Sequence, residues 1–276
     1  MKDVIVLGGL NMDLIVETPR LAGPGETAEG SRFYTTPGGK GGNQAVAAAR
    51  LAESPGTVKM VGRIGDDGFG EEMAQFMRNE GIDTSLLRRS QGIASGIAAI
   101  FILPDGENHV NPVYGANGLC DEQQSDDVAG ALVNAGVLLC QQEVPLTATR
   151  ASIEAAAKAG VAVILDPAPV RDVPDGFYDS VTILTPNQGE ASSMAGIEVI
   201  DSPSAKSAAR KIRDTGIVTV IVTLGDQGAW VGSDGVSELL DPFKVNVVAT
   251  VAAGDAFNGG LGTGLASGMD LLEAAR

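Results

Sequence analysis

Cysteine, histidine and tryptophan are nearly missing from this 276-residue chain, which has two, one and one of them. Cys120 and Cys140 sit in unlike contexts, and no metal-ligand spacing surrounds them. They read as buried free thiols in a reducing, cytoplasmic compartment. Basic residues are scarce too: 19 Lys and Arg against 35 Asp and Glu leave a formal net charge of -16. Nucleic acid and anionic membranes both require a basic surface, so neither is an expected partner. A phosphate ligand is not excluded, because a cradle of backbone N–H groups can hold an anion on an acidic protein. Long apolar runs are absent. Val4-Ile5-Val6-Leu7 is too short for a secretory signal core and ends at Gly8-Gly9. No stretch has the length of a membrane span. Repeats, low-complexity tracts and linkers are lacking. So are a Walker P-loop and a dinucleotide fingerprint. The lysine of Gly-Gly-Lys-Gly at 38–41 is not followed by Ser or Thr, and Gly259 to Gly264 has the wrong spacing.

What is present suits a folded α/β protein. Hydrophobic residues make up 44 % of the chain, enough for a sizeable core in one large domain or two small ones. Short apolar runs at Val4 to Leu7, Val58 to Val61, Val137 to Cys140, Val161 to Leu165, Thr182 to Leu184 and Val218 to Thr223 read as buried strands. Helical patterns fall between several of them: Gly42 to Ala52, Phe69 to Glu80, Ala148 to Ala159, Gly189 to Ala195 and Ser204 to Thr215. Such alternation predicts a mostly parallel sheet with helices on both faces. Thr27 to Thr36 and Ser95 to Val113 break the rhythm as extended segments, the second with a turn at Pro104-Asp105-Gly106. They can pair as a small sheet, serving as a lid or as a plain edge hairpin. Lone Trp230 follows a glycine-containing turn and reads as core or lip packing.

Chemistry-bearing residues cluster after strands. Ala252-Ala253-Gly254-Asp255 opens a helix-like segment. The first turn of a helix offers unpaired N–H groups and the positive end of the dipole, which suits a phosphate, and a carboxylate there can take a proton from a hydroxyl. The same pattern is also a common N-cap. Asn11 and Asp13 after the first strand suit a vicinal diol, or form an Asx turn. Pro37 to Asn43 is a glycine-dense loop whose backbone can approach a polar ligand. Asn187 and Glu190 suit hydrated Mg²⁺ on a nucleotide, or a capping box. Thr223-Leu224-Gly225-Asp226-Gln227-Gly228 is a tight turn that can follow phosphates, or simply join two strands. Each cluster is weak alone; together they line one edge of the expected sheet.

Asn11-Met12-Asp13, Gly38 to Ala45, Asp166-Pro167-Ala168-Pro169, Thr185-Pro186-Asn187 with Glu190, Thr223-Leu224-Gly225 and Ala252 to Asp255 resemble the motifs of PfkB-type carbohydrate kinases. Gly115-Ala116-Asn117 and Gln142-Glu143-Val144-Pro145 extend the resemblance over nearly the whole chain. It implies an α/β three-layer sandwich with a mostly parallel central sheet and a small β lid. The core would be 1–14, 42–94 and 114–276, and the lid 15–41 and 95–113. It implies ATP-dependent phosphorylation of a sugar, D-ribose at its 5-hydroxyl before others. Another sugar or nucleoside acceptor, or a catalytically impaired binding protein, stays open.

By the resemblance, Asp255 is the base, and Ala252, Ala253 and Gly254 with it form the anion hole. Asn11, Asp13, Gly38, Gly39, Asn43, Glu143 and Asp255 contact the sugar. Asn187, Thr223, Gly225 and Gly228 contact the nucleotide, and Glu190 and Asn187 order Mg²⁺ through water. His109 belongs to the lid rather than to catalysis. ATP and Mg²⁺ are the implied cofactors, and a homodimer through the lid the implied assembly. The resemblance carries an aspartate where this chain has Ala249, so the monovalent-cation site, and with it K⁺, is in question. It also continues beyond Arg276, so one wall of the adenine pocket is expected to be missing.

Overall fold

The computed structural model describes residues 1–247 and 250–276. The chain begins with β1 (Asp3–Leu7), β2 (Asn11–Glu17), β3 (Arg32–Gly38), α1 (Lys40–Leu51), β4 (Val58–Gly65), α2 (Gly68–Asn79) and β5 (Leu87–Ser90). A hairpin of β6 (Gly96–Ile102) and β7 (Asn108–Val113) follows, then α3 (Glu122–Ala131), β8 (Ala135–Cys140), α4 (Leu146–Lys158), β9 (Ala162–Leu165) and β10 (Ile183–Leu184). The last part holds α5 (Gln188–Ala195), α6 (Ser202–Arg213), β11 (Thr219–Thr223), β12 (Ala229–Ser233), β13 (Val236–Leu240), α7 (Ala253–Ala266) and α8 (Leu271–Ala275).

Among the described residues, nine strands form one sheet in the order β13-β12-β11-β10-β9-β8-β1-β4-β5. It is parallel from β5 to β11, and β12 and β13 close it antiparallel. Side chains alternate across a strand, so a strand buried on both faces must be apolar throughout. In β1, Val4 and Val6 join a core with Ala45 and Ala48 of α1, Met73 of α2 and Leu261 of α7. Ile5 and Leu7 join the opposite core, with Val128 of α3, Ile153 of α4 and Ala205 of α6. Helices cover both faces, giving a three-layer sandwich. The apolar runs read as strands all lie in this sheet. The antiparallel β12–β13 pair and the helix α3 had no comparable signal in the sequence. Trp230, nearly buried on β12, lies under the Lys206 ammonium at 5.6 Å from the ring centre.

A second sheet has the order β3-β2-β6-β7. The two extended segments do not pair with each other as expected. β2 lies between them, antiparallel to β3 and parallel to β6. Its sequence Asn11-Met12-Asp13-Leu14-Ile15-Val16-Glu17 puts Met12, Leu14 and Val16 on one face and Asn11, Asp13 and Glu17, with Ile15, on the other, so its polar residues read as site residues rather than as one face of a strand. The first extended segment becomes a strand only from Arg32. The turn at Pro104 to Gly106 joins β6 to β7, and Gly106 N–H donates to Leu103 C=O.

α7 contains five glycines between Gly254 and Gly264, costly in a helix by about 1 kcal/mol each. Close packing explains those in its middle. A Cβ on Gly259 would come within 2.5 Å of the Ala47 Cβ and 2.8 Å of the Ala48 nitrogen. One on Gly262 would meet the Leu139 side chain at 2.9 Å. Gly259 therefore lets α7 lie directly on the alanine face of α1. Thr263 Oγ1 adds a hydrogen bond to the Ala48 carbonyl across the contact.

Gly259→Ala is expected to lower stability by about 1–3 kcal/mol, as overpacking does, and to reduce activity by separating the first turns of α1 and α7. Thermal unfolding and turnover, measured on the same preparation, check both effects.

Candidate active site

The first turns of α1 and α7 meet at a buried carboxylate. Asp255 is the third residue of α7 and is 5 % exposed. Its Oδ2 accepts from Asn43 Nδ2 at 3.1 Å, and its Oδ1 accepts from Gln44 Nε2 at 3.1 Å. Burial raises its pKa; the Lys40 charge and the Gln44 and Asn43 hydrogen bonds pull in the other direction.

The start of α7 has no side-chain cap. Ala252 occupies the cap position with φ of 60°, the one non-glycine residue in the left-handed region among the described residues. That conformation costs about 1–2 kcal/mol in an L-residue and marks a backbone shaped for something other than stability. The Ala253 N–H donates to the Thr250 carbonyl at 3.2 Å. The N–H groups of Gly254 and Asp255 meet no protein acceptor among the described residues. Of the four residues expected to form an anion hole, these two therefore supply the unpaired first-turn donors that can face an anion.

Asn11 and Asp13 stand on β2 opposite Gly38 and Thr36 of β3. A Cβ on Gly38 would collide with the Asp13 carboxylate at 2.3 Å, so the glycine makes room for that side chain. Gly39 precedes α1 with φ of 82°, and a Cβ there would strike the Asn11 nitrogen at 2.7 Å. Glu143, after β8, accepts from the Lys40 N–H at 2.8 Å, at the start of the same helix as Asn43.

Asn117 fixes Asn11. Its Nδ2 donates to Asn11 Oδ1 and to the Leu10 carbonyl, both at 2.9 Å, and its Oδ1 accepts from the Leu10 N–H at 3.0 Å. The Asn11 oxygen is thus occupied. Its Nδ2 meets no protein acceptor among the described residues, which leaves it as a donor toward a ligand oxygen.

Lys40, Gln44 and Asp166 were quoted in motifs but given no role in the sequence reading. Asp166 follows β9 and is 4 % exposed; its Oδ2 accepts from Lys40 Nζ at 3.3 Å and from Gln44 Nε2 at 3.1 Å. Burial opposes the Lys40 charge, but Asp166, Asp255, Glu190 and Glu143 raise its pKa above the usual range. The position of Asp166 beyond a strand end was the one signal that could have marked it.

The remaining site residues gather beside α7. Thr223, Gly225 and Gly228 line a cleft of roughly 320 Å³ with Leu240, Phe243, Gly254 and Phe257. The turn at Gly225 to Gln227 joins β11 to β12, and Asn187 bridges to Thr223. Asn187 and Glu190 form a complete capping box at the start of α5: Glu190 N–H donates to Asn187 Oδ1 at 2.9 Å, and Asn187 N–H to Glu190 Oε2 at 2.8 Å. Glu190 Oε1 has no protein hydrogen bond among the described residues. Ala249, where the monovalent-cation site was in question, lies outside the described residues. His109 is on β7, 3.5 Å from Glu107, and belongs to the small sheet. Both cysteines are free and buried; burial pushes the Cys120 thiol up to about 12 and raises that of Cys140 as well.

The whole chain, residues 1–276, matches the family described as pfkB family carbohydrate kinase. The ribokinase of Haemophilus influenzae is 38 % identical over 275 residues, 100 % of this chain and 89 % of that protein. The deoxyribokinase of Salmonella typhi is 35 % identical over 260 residues, 93 % of this chain and 83 % of that protein. The solved structure of Arabidopsis thaliana ribokinase complexed with ribose and ATP matches with a TM-score of 0.90 at 32 % identity, covering 100 % of this chain and 89 % of that one.

The buried carboxylates make a pH-stability prediction. Burial, then the Asp255 charge, raises Asp13 to about 6; burial raises Glu143 and Asp166 each to about 7. The folded state then binds protons that the unfolded chain, with carboxylates near 4, has released. The stability linked to these groups is fully present below about pH 4 and is lost as pH rises through 6 and 7. Carboxylates held low, such as Glu71 and Glu80 beside arginines, act in the opposite sense, at pH values below that window. The unliganded protein should show a falling Tm from about pH 5 to about pH 7. Asp13→Asn or Glu143→Gln should flatten the slope in calorimetry.

Proposed function

The chain belongs to the pfkB family of carbohydrate kinases, and from that premise we propose that it transfers the γ-phosphoryl group of ATP to the 5-hydroxyl of D-ribose, with Asp255 as the base. One observation carries the reading. A buried carboxylate, oriented by Asn43 and Gln44, stands in the same helical turn as two N–H groups that have no acceptor among the described residues. Phosphoryl transfer asks for little covalent chemistry from the protein; it asks for alignment and charge stabilisation.

The residues take these parts. Asn11 donates to a sugar oxygen, and Asp13 and Glu143 accept from sugar hydroxyls. Gly38 and Gly39 let the sugar lie close to the backbone, and Asn43 bridges it to Asp255. Thr223, Gly225 and Gly228 hold the nucleotide along the cleft beside α7, with Asn187 at its margin. As the hydroxyl attacks phosphorus, its proton passes to Asp255, the new O–P bond forms, and the bond to the leaving ADP oxygen breaks. The N–H groups of Gly254 and Asp255 face the charge that develops on the transferred group. Lys40 adds a fixed positive charge among the carboxylates.

Mg²⁺ fits this site only as an ion carried by the phosphates. No group of three or more metal-binding side chains exists among the described residues. Glu190, with one oxygen outside the capping box, and Asn187 would hold it through water, and when bound it neutralises phosphate charge. The lid that excludes water from the transfer was expected over 15–41 and 95–113; the small sheet that would form it starts earlier, at Asn11 of β2, and its β3 ends at Gly38, before α1. One face of that sheet carries Val16, Phe33 and Phe101 in a row that ends at His109, and the 64 % exposure of Phe33 there supports a homodimer formed through the lid. The enzyme works in the cytoplasm, as its two buried free thiols favour. No helix among the described residues is long and apolar enough to cross a membrane.

A second reading has one observation behind it. The likeness to a deoxyribokinase makes 2-deoxyribose a competing acceptor.

Three measurements test these readings. ADP formation with ribose, 2-deoxyribose, adenosine and inosine should be fastest with ribose; a preference for a nucleoside would reject the assignment. Asp255→Asn should lower kcat by about 10²–10⁴-fold, as loss of a positioned base does. Phe33→Glu should move the protein from dimer to monomer in sedimentation.

A further inference from the structure

Gln44 follows Asn43 in the first turn of α1 and is 1 % exposed. Its amide nitrogen has two hydrogens, and both go to carboxylates: one to Asp255 Oδ1 and one to Asp166 Oδ2, each at 3.1 Å. Its oxygen accepts from Gln141 Nε2 at 2.7 Å. Turning the amide over would set its oxygen against two carboxylate oxygens and its nitrogen against the Gln141 nitrogen. Three attractive contacts would become three repulsive ones, so the orientation is fixed.

We propose that Gln44 is a positioning residue for the Asp255 carboxylate, a neutral strap, locked by Gln141, that holds the base in one rotamer by tying it to Asp166. The proposal rests on the role of Asp255 given above. The strap leaves Asp255 Oδ2, shared with Asn43, as the oxygen presented to the acceptor hydroxyl. It also serves the charge state. A donor to Oδ1 favours the ionised carboxylate, the form a base must have.

The charged groups that interact with Asp255 come from several elements: Lys40 of α1, Asp13 of β2, Glu143 after β8 and Asp166 after β9, while Glu190 of α5 acts on Lys40 and Asp166. The Lys40 ammonium faces four carboxylates, Asp166, Asp255, Glu190 and Glu143. A neutral two-donor group is the side chain that can stand between two of them without adding charge. Asp166 is thereby held in place from two sides, by Gln44 and by Lys40.

The test compares kcat, KM and their pH profiles for wild type, Gln44→Leu, Gln44→Glu and Gln141→Leu, with folding followed by circular dichroism. Gln44→Leu should lose roughly 10–100-fold in kcat while KM for sugar and for ATP moves by less than about threefold, as expected for a misaligned base. Gln44→Glu sets a third carboxylate against Asp255 and Asp166. That raises the pKa of the base, so the acid limb of kcat/KM should move to higher pH. Gln141→Leu unlocks the amide but keeps both donors, and should give a smaller loss in kcat. Wild-type kcat and an unmoved acid limb in both Gln44 variants would overturn the proposal. If those variants fail to fold, Gln141→Leu decides, and a kcat within about twofold of wild type would overturn it. Wild-type protein that forms no ADP with any sugar removes the kinase reading and the proposal together. Active wild type with unaffected variants removes the proposal alone.

Discussion

The contact between Gly259 of α7 and Ala47–Ala48 of α1 is the constraint on which the site depends. Two helices can approach this closely only where one of them lacks a Cβ, and a Cβ at 259 would lie 2.5 Å from its neighbour. The consequence appears one turn earlier in each helix. Asn43 and Gln44 reach Asp255 with ordinary hydrogen-bond lengths, although more than two hundred residues separate them in the chain. The helix starts meet at Asp255, so the N–H groups of Gly254 and Asp255, which have no acceptor among the described residues, and the carboxylate of the third residue of α7 lie near the glycine loop before α1. A wider contact would leave the same residues present and the chemistry unaligned.

Electrostatics sets the second condition. The site gathers several carboxylates in a chain that is already strongly acidic, and burial drives Asp13, Glu143 and Asp166 toward neutrality. Lys40 is the charge that makes the arrangement tolerable. It donates its backbone N–H to Glu143 and its side chain to Asp166. This balance costs stability near neutral pH in the unliganded state, and a ligand that hydrogen-bonds the ionised carboxylates would recover part of it. Sites built for binding commonly carry such stored cost. The Ala252 backbone, left-handed without a glycine, is a second instance in the same turn.

Much of the large sheet was legible in the sequence, since strands buried on both faces are apolar throughout and announce themselves as runs such as Val4 to Leu7. The small sheet was less so. β2 carries Asn11 and Asp13 within a strand; they alternate with Met12, Leu14 and Val16, but their chemistry drew them into the site reading and the period was passed over. The hairpin β12–β13 was hidden because its outer strand, Val236-Ser237-Glu238-Leu239-Leu240, is neither an apolar run nor a clean alternation. The glycines of α7 made no sense to helix propensity and made sense once α1 lay against them. In the site, the clusters after strands were visible as residue types, but the bonds between them were not. Nothing local says that Asn117 turns the Asn11 amide, that the Ala253 N–H is spent on Thr250, or that Gln44 ties Asp166 to Asp255.

By itself, then, the order of residues determined the alternation of strands and helices, the acidic character, and which loops carry polar groups beyond strand ends. These are local properties, fixed by periodicity, by turn chemistry and by counting charges. Only the folded chain decided which N–H groups stay unpaired, which way each amide faces and how far each carboxylate is pushed from its usual pKa. Those depend on distances between segments remote in sequence, and a hydrogen bond or a buried charge responds to changes of a few tenths of an ångström that no local pattern encodes.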